Sequence, residues 1–273
     1  MLYQLSYGHH ANIKVIPHFL GRGEAATMLR FPHMAEEHVE YEKLIESLCD
    51  DGERAAYREP FDHYRPSFVP QILAGLLVGC GNLLYGCAPS YQKFRALEII
   101  ARVPYHSWAS ATFTLLTLFY TDEECALRLS KIASFATFAA ENETMHVVVI
   151  SSLARQHGRA GFLRRTLIPV VFSFFYFWNS YLLYFLSPRW ALEINYLFEN
   201  HSFEQYSRFL KENERELRHS VIESSYLAAY GRHPRSQYEF FCSVRNDELV
   251  HRNRSVRELA MHRRAERQSE KGE

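Results

Sequence analysis

The stretch AENETMHVVV, at residues 140–149, places Glu143 three residues before His146. The same Glu-x-x-His spacing recurs about a hundred residues later in NDELVH, which ends at His251. Residues three apart share one face of an α-helix, so each pair can present a carboxylate and an imidazole to one point in space. Two such helices, with two more that each supply a single glutamate, form the carboxylate site of a four-helix di-iron bundle.

The Glu-x-x-His spacing alone is a weak indication. With 26 glutamates and 14 histidines, chance predicts about one such pair, and the sequence contains three. The pair Glu216 and His219 lies in the charged run LKENERELRHS, which favours a solvated helix end. The pairs that end at His146 and His251 lie beside apolar segments, where a carboxylate without a partner would be costly to bury. A metal is one partner that would use both members of each pair.

Two single glutamates complete the set. Glu98 in RALEIIA and Glu199 in NYLFENHSF are flanked by large apolar side chains, although either one alone could be a salt-bridged glutamate. Together with Glu143 and Glu248 they are separated by 45, 56 and 49 residues along the chain. Each interval fits one helix and its connection, which is what the bundle requires.

The sequence predicts an all-α, ferritin-like four-helix bundle with a di-iron carboxylate site and additional interfacial helices. Helices are expected over 34–48, 69–87, 91–119, 122–155, 188–218 and 237–262, with a short helix between 220 and 235. The expected organisation is an N-terminal arm over 1–68, the helical domain over 69–262 and a charged, disordered tail over 263–273.

Three helix starts carry capping patterns. Thr121 and Glu124 form a Thr-x-x-Glu capping box, and Ser236 opens a Ser-x-x-Glu box. Ser187 followed by Pro188 predicts an N-cap with proline at the first helical position.

The most apolar segment, LIPVVFSFFYFWNSYLLYFL at 167–186, has the length and composition of a transmembrane helix. A single crossing there would put Glu143 and Glu199 on opposite sides of the bilayer and prevent them from sharing a metal. We therefore expect this segment to lie in the membrane interface or inside the fold.

Composition excludes some classes. Lys+Arg equals Asp+Glu at 31 each, so charge does not indicate a nucleic-acid partner. The five cysteines form no CxxC pair, which indicates neither a disulfide framework nor a structural zinc site. The N-terminal residues lack the pattern of a secretory signal.

From about Tyr91 to Arg257 the sequence resembles the alternative oxidases, and more closely their plastid terminal oxidase branch. The stretches that carry this resemblance are FRALEIIARVPYHSW, AENETMH, YFLSPRWA, FENHSFEQYSRFLK and VRNDELVH, in that order. The resemblance implies a monotopic quinol oxidase with two non-haem irons, which reduces O2 to water without pumping protons. It also implies ubiquinol or plastoquinol as substrate, a leaflet of a mitochondrial, plastid or bacterial inner membrane, and a homodimer.

The resemblance also assigns residues. It implies six iron ligands, which are Glu98, Glu143, His146, Glu199, Glu248 and His251. Tyr206, seven residues after the third glutamate, matches a tyrosine implicated in electron transfer, and its alternative is a core tyrosine. Asn142 and Asp247 match positions that orient the ligands.

The quinol-binding positions match the family less well. They are Lys93, Leu97, His201 and Gln205. Lys93 stands where the family has arginine, and Gln205 where it has threonine, whereas His201 is as in the plastid branch. These departures concern the quinone and its affinity rather than the iron site.

Three other functions remain open. A di-iron hydroxylase of quinone biosynthesis would insert oxygen instead of releasing water, and a ferritin-like protein would bind or store iron. A helical membrane protein with accidental Glu-x-x-His pairs would bind no metal. Apolar runs such as 167–186 disfavour a soluble ferritin-like cage.

Overall fold

A computed structural model describes residues 32–158 and 161–269, with side chains for 38–158 and 161–261, and the elements in these residues are all helical. The helices are α1 (Pro32–Ser47), α2 (Asp51–Asp62), α3 (Phe68–Tyr85), α4 (Tyr91–Phe119), α5 (Glu123–Gln156), α6 (Ile168–Leu186), α7 (Pro188–His219), α8 (Ser225–Tyr230) and α9 (Gln237–Ser269). A π-helical turn, Leu163–Leu167, precedes α6. The predicted all-α class is confirmed.

Four helices, α4, α5, α7 and α9, form the central bundle, with α4 packed on α5 and α7 packed on α9. The two largest apolar clusters among the described residues lie in it. In one, Phe94 stacks on Tyr206 with ring centroids 4.1 Å apart. In the other, Tyr105 and Trp108 pack against small residues such as Ala136. Close packing at both clusters excludes water from the polar centre that lies among these helices.

Residues 40–273 form one compact unit. The N-terminal arm over 1–68 stays a prediction, and its residues 1–31 lie outside the described residues. Helix α2 was not predicted, because it is polar and contains Gly52 and Pro60. Arg252 of α9, which is fully buried, holds α2 by donating to the Arg58 carbonyl at 3.1 Å.

Helix ends follow the predicted caps in two of three cases. Ser187 accepts from the Trp190 amide, and Ser236 from the Glu239 amide, both at 3.3 Å. The prediction for Thr121 is wrong, because Asp122 is the N-cap of α5 and accepts from the Cys125 amide. A carboxylate at this position is a stronger N-cap than the neighbouring hydroxyl.

The C-terminal helix is longer than predicted. α9 continues past residue 262 to Ser269, so residues 263–269 are helical rather than a disordered tail. The remaining residues of the predicted tail, 270–273, lie outside the described residues.

Glu193 of α7 fixes the start of α3. Its carboxylate accepts from the Tyr64 hydroxyl at 2.7 Å, the Ser67 amide at 3.0 Å and Arg189 at 3.0 Å. We expect Glu193→Ala to lower the free energy of unfolding by about 2–3 kcal/mol, because three donors lose one buried, charged acceptor. Denaturant titration would measure this loss. The exposed pair Glu214 and Arg218 supplies the control, since Glu214→Ala should cost less than about 0.5 kcal/mol.

Helices α3 and α6 leave apolar faces outside the fold. By length and composition, Phe68–Tyr85 and Leu163–Leu186 could each cross a membrane, and only 11% of each is buried. α6 lies along α4, because Ser107 donates to Ser180 and Thr114 bonds to Tyr181, both at 2.9 Å. The helices before and after α6 in the chain, α5 and α7, both contribute to the bundle.

Candidate metal centre

Six acidic and imidazole side chains from the four bundle helices converge at its centre. They are Glu98 of α4, Glu143 and His146 of α5, Glu199 of α7, and Glu248 and His251 of α9, and all are fully buried. Their ligand atoms form two groups, each within 4.8 Å, one of Glu98, Glu143, His146 and Glu248, the other of Glu143, Glu199 and His251. Glu143 belongs to both groups, so it could contribute to holding a cation in either one.

His146 is held with one nitrogen toward the carboxylates. Its Nδ1 lies 3.1 Å from Glu98 Oε2, 3.4 Å from Glu143 Oε2 and 3.5 Å from Glu248 Oε1. Its Nε2 lies 2.9 Å from Asp247 Oδ2. A carboxylate that accepts the proton of one ring nitrogen leaves the other nitrogen unprotonated for a metal. Asp247 is therefore placed so that its contact with Nε2 would leave Nδ1 of His146 available to a metal.

Arg232 holds Asp247 in turn. Its Nη2 donates to Asp247 Oδ1 at 2.8 Å, and its Nε donates to Glu42 Oε2 at 2.8 Å. Tyr41 donates to Asp247 Oδ1 at 2.8 Å. Sequence reasoning missed Arg232, Glu42 and Tyr41, because Arg232 lies in a connecting segment that carried no motif.

Several buried ligand atoms lack partners, as expected if a cation completes the site. Among the described residues, no hydrogen-bond partner reaches either oxygen of Glu143 and Glu248, Glu199 Oε2, or either nitrogen of His251. His251 Nδ1 lies 2.9 Å from Glu143 Oε1, without hydrogen-bond geometry. Buried polar atoms are normally satisfied, so this cluster of orphaned oxygens and nitrogens fits a metal.

Electrostatics agree with that interpretation. Burial and the Glu143 carboxylate raise the pKa of Glu98 to about 8, and they raise the pKa values of Glu199 and Glu248 as well. Burial also works to raise the pKa of Glu143, but His146 and the other imidazole hold it well below its usual range. So many carboxylates crowded without water need positive charge, which metal ions supply.

Two tyrosines bond to the single glutamates of α4 and α7, Glu98 and Glu199. Tyr206, predicted from the sequence, donates to Glu98 Oε1. Tyr105, which was not predicted, donates to Glu199 Oε1 at 2.6 Å. Each tyrosine follows a ligand glutamate by seven residues, so the same spacing could have revealed Tyr105.

Asn142 lies beside the site. It is fully buried, and its Nδ2 donates to the Tyr230 hydroxyl at 3.2 Å. Its Oδ1 has no hydrogen-bond partner among the described residues. The amide therefore keeps an acceptor available on the side chain that directly precedes Glu143.

The four residues predicted to bind quinol lie close together. Lys93, Leu97 and His201 line one cavity with Leu77 and Phe198, between α3, α4 and α7. Gln205 joins them through its Oε1, which accepts from Lys93 Nζ at 3.0 Å.

The Lys93 ammonium is already fully engaged. Besides Gln205, Nζ donates to Asn82 Oδ1 at 2.8 Å and to the Cys87 carbonyl at 3.1 Å. An ammonium has three N–H donors, so all of them are used within the protein. Lys93 therefore fixes the cavity walls instead of presenting a free donor.

A bundle in which two helices each supply one glutamate and two supply Glu-x-x-His defines a ferritin-like carboxylate metal-binding fold. The alternative oxidase family model matches residues 85–260, and the chain belongs to that family. The chain is also 27% identical over 182 residues to ubiquinol oxidase 4, chloroplastic/chromoplastic, from Arabidopsis thaliana. That match covers 59% of this chain and 49% of the relative, so it spans about half of the relative's length. No solved structure matches the chain significantly. The resemblance predicted from the sequence is confirmed.

Proposed function

We propose that this protein is a quinol oxidase that reduces O2 to water at a di-iron centre. The observation that carries the proposal is the pair of buried ligand groups that share Glu143. The quinol would be ubiquinol or plastoquinol, and the reaction would not pump protons. Each quinol gives two electrons and two protons, so two quinols reduce one O2 to two waters.

Two iron ions would be held by Glu98, Glu143, His146, Glu199, Glu248 and His251. Bound iron would supply the redox chemistry by passing electrons from quinol to O2. The four glutamates balance the charge of two ferrous ions, and the buried clusters on either side keep bulk water away. Tyr206 would carry electrons, since its hydroxyl bonds Glu98 and its ring stacks on Phe94 beside the cavity residues of α4.

The quinol would occupy the cavity lined by Leu97 and His201. Burial, reinforced by the Lys93 ammonium, lowers the pKa of His201. A neutral imidazole can accept the proton of a quinol hydroxyl, whereas Lys93 has no donor to spare. His201 would therefore receive the proton, while Lys93 and Gln205 would hold the shape of the pocket.

Lys93→Met tests this division of roles. Without the ammonium, Asn82, the Cys87 carbonyl and Gln205 lose their common donor, and the pocket loosens. We expect the KM for quinol to rise about tenfold, equivalent to about 1.4 kcal/mol, with iron content and kcat preserved. Steady-state oxygen uptake would measure both constants, and Lys131→Met on the exposed face of α5 is the control. An unchanged KM would contradict the assignment.

The membrane proposal rests on the exposed apolar helices α3 and α6. Phe174, Phe175 and Trp178 of α6 and Leu76 and Leu83 of α3 are half or more exposed. Apolar surface of this extent, with aromatic residues, is typical of segments that lie in a bilayer interface. A crossing by α6 would separate α5 from α7, which share the metal site, so both helices would lie on one leaflet.

The leaflet would belong to a plastid, mitochondrial or bacterial inner membrane, and the chain would act as a homodimer. The plastid is favoured, because the relative from Arabidopsis thaliana is named as chloroplastic and chromoplastic. Quinol and O2 would be the small-molecule partners.

Oxygen uptake by protein in vesicles, with plastoquinol and ubiquinol analogues compared, tests the proposal. We expect quinol-dependent uptake that is insensitive to cyanide and yields water. Uptake with a hydroxylated quinone product would support the quinone-biosynthesis hydroxylase instead. Iron binding without any quinol reaction would favour a ferritin-like iron-binding protein. An iron content below two per chain would contradict the proposal of a di-iron centre.

A further inference from the structure

Each of the two tyrosines at the metal centre bonds to the glutamate of the other helix. Tyr105 of α4 bonds Glu199 of α7, and Tyr206 of α7 bonds Glu98 of α4. Each tyrosine lies seven residues after the glutamate of its own helix. Seven residues make about two helical turns, so the tyrosine and that glutamate lie on the same face of the helix. The two halves of the centre are therefore built alike.

The surroundings of the two hydroxyls differ. Asn195 Nδ2 donates to the Tyr105 oxygen at 2.9 Å and to Ser255 Oγ at 3.1 Å, and Ser255 donates to the His251 carbonyl at 3.1 Å. Among the described residues, the Tyr206 hydroxyl donates to Glu98 and accepts no side-chain hydrogen bond. Tyr105 thus accepts a hydrogen bond from Asn195, which is itself bonded to Ser255, and Tyr206 has no equivalent of this network among the described residues.

The hydrogen bonds of Asn195 fix the direction of the Tyr105 hydroxyl. A phenol has one proton, and with Asn195 occupying its acceptor side that proton points to Glu199 Oε1. The opposite amide orientation of Asn195 would turn the proton toward Asn195 and leave a phenol lone pair facing a carboxylate oxygen. The observed orientation satisfies Glu199 Oε1 and leaves Oε2 buried without a partner.

We propose that Tyr105 is a positioning residue that holds Glu199 through Oε1 and thereby reserves Oε2 for the iron on the Glu199 and His251 side. This inference rests on the proposed di-iron function. It extends that function to Tyr105, which bonds Glu199 in the ligand group of Glu143, Glu199 and His251. Tyr105 and Asn195 set the geometry of one iron, whereas Tyr206, without a second anchor, keeps the reacting role.

Anaerobic Fe(II) titration of the full-length protein, followed by Mössbauer spectroscopy, separates this role from simple packing. Tyr105→Phe keeps the ring and its edge contacts with Trp108 and His251, and removes only the hydroxyl. Tyr64→Phe is the matched control, since it removes a tyrosine bond to Glu193, an α7 carboxylate outside the metal centre.

We expect Tyr105→Phe to weaken binding of one iron about tenfold and to change one of two Mössbauer signals, since residues that orient metal ligands typically contribute 10–100-fold in affinity. Tyr64→Phe should bind both irons within about twofold of the unaltered protein, as expected for a bond outside the ligand shell. Two irons bound by Tyr105→Phe with unaltered affinity and spectrum would overturn the proposal.

Asn195→Ala provides a second route if Tyr105→Phe folds poorly. It leaves the phenol in place but frees its proton to turn, so we expect a smaller loss, about threefold, at the same iron. Equal weakening at both irons would indicate a packing effect and overturn the proposal. Failure of the unaltered protein to bind two irons would instead overturn the di-iron function, which separates the two failures.

Discussion

Glu143→Ala is expected to abolish uptake of both irons and with it quinol-dependent oxygen consumption. Glu143 is the side chain common to both ligand groups, and its loss removes a charge that each cation needs. Its two oxygens have no hydrogen-bond partner among the described residues, and its charged neighbours there include the imidazoles of His146 and His251. Iron content below about 0.2 per chain and oxygen uptake reduced at least about 100-fold are the expected results.

The control for this change is Glu216→Ala. Glu216 begins the third Glu-x-x-His pair, and it and His219 are exposed at the end of α7, as predicted. This variant should keep two irons and full oxygen uptake. Retention of both irons by Glu143→Ala would show that the metal lies elsewhere, and circular dichroism would establish that the helices are intact in both variants.

Arg232→Leu is expected to destabilise the fold and to disorder His146. The Arg232 guanidinium is buried between Asp247 and Glu42, and removing it leaves Asp247 as a buried carboxylate without its counter-ion. Breaking a buried ion pair in this way costs about 3–5 kcal/mol. Denaturant titration of the iron-free protein would measure the loss.

The same change should weaken iron binding about 10–100-fold, because Asp247 then no longer fixes the ring of His146. Arg232→Lys should recover little, since an ammonium cannot donate two parallel bonds to a carboxylate. Arg218→Leu, which breaks an exposed pair with Glu214, should change stability by less than about 1 kcal/mol. A loss for Arg232→Leu as small as that for Arg218→Leu would show that the buried network contributes little.

Much of the fold and of the candidate site could be predicted from the sequence. Helical spacing places Glu143 beside His146 whatever surrounds them, and the apolar neighbours of Glu98 indicate that it is buried. The order of the ligands along the chain then defines the bundle. These features are local or periodic, so the sequence carries them directly.

The missed features depend on contacts that spacing does not encode. Arg232 lies in a connection between helices, and its partner Glu42 is 190 residues away in the chain. Asp122 rather than Thr121 caps α5 because two adjacent residues compete for one position, and sequence pattern locates helix ends only to within a residue or two. Tyr105 could have been predicted, since it follows Glu98 by the same seven residues that separate Glu199 and Tyr206.

The two tyrosines at the metal centre also restrict how this chain can vary in length. One residue inserted between Glu98 and Tyr105 would rotate the tyrosine by about 100° and carry it away from Glu199. The same insertion in α7 would separate Tyr206 from Glu98. Both contacts therefore require an interval of seven residues between the glutamate and the tyrosine of each helix.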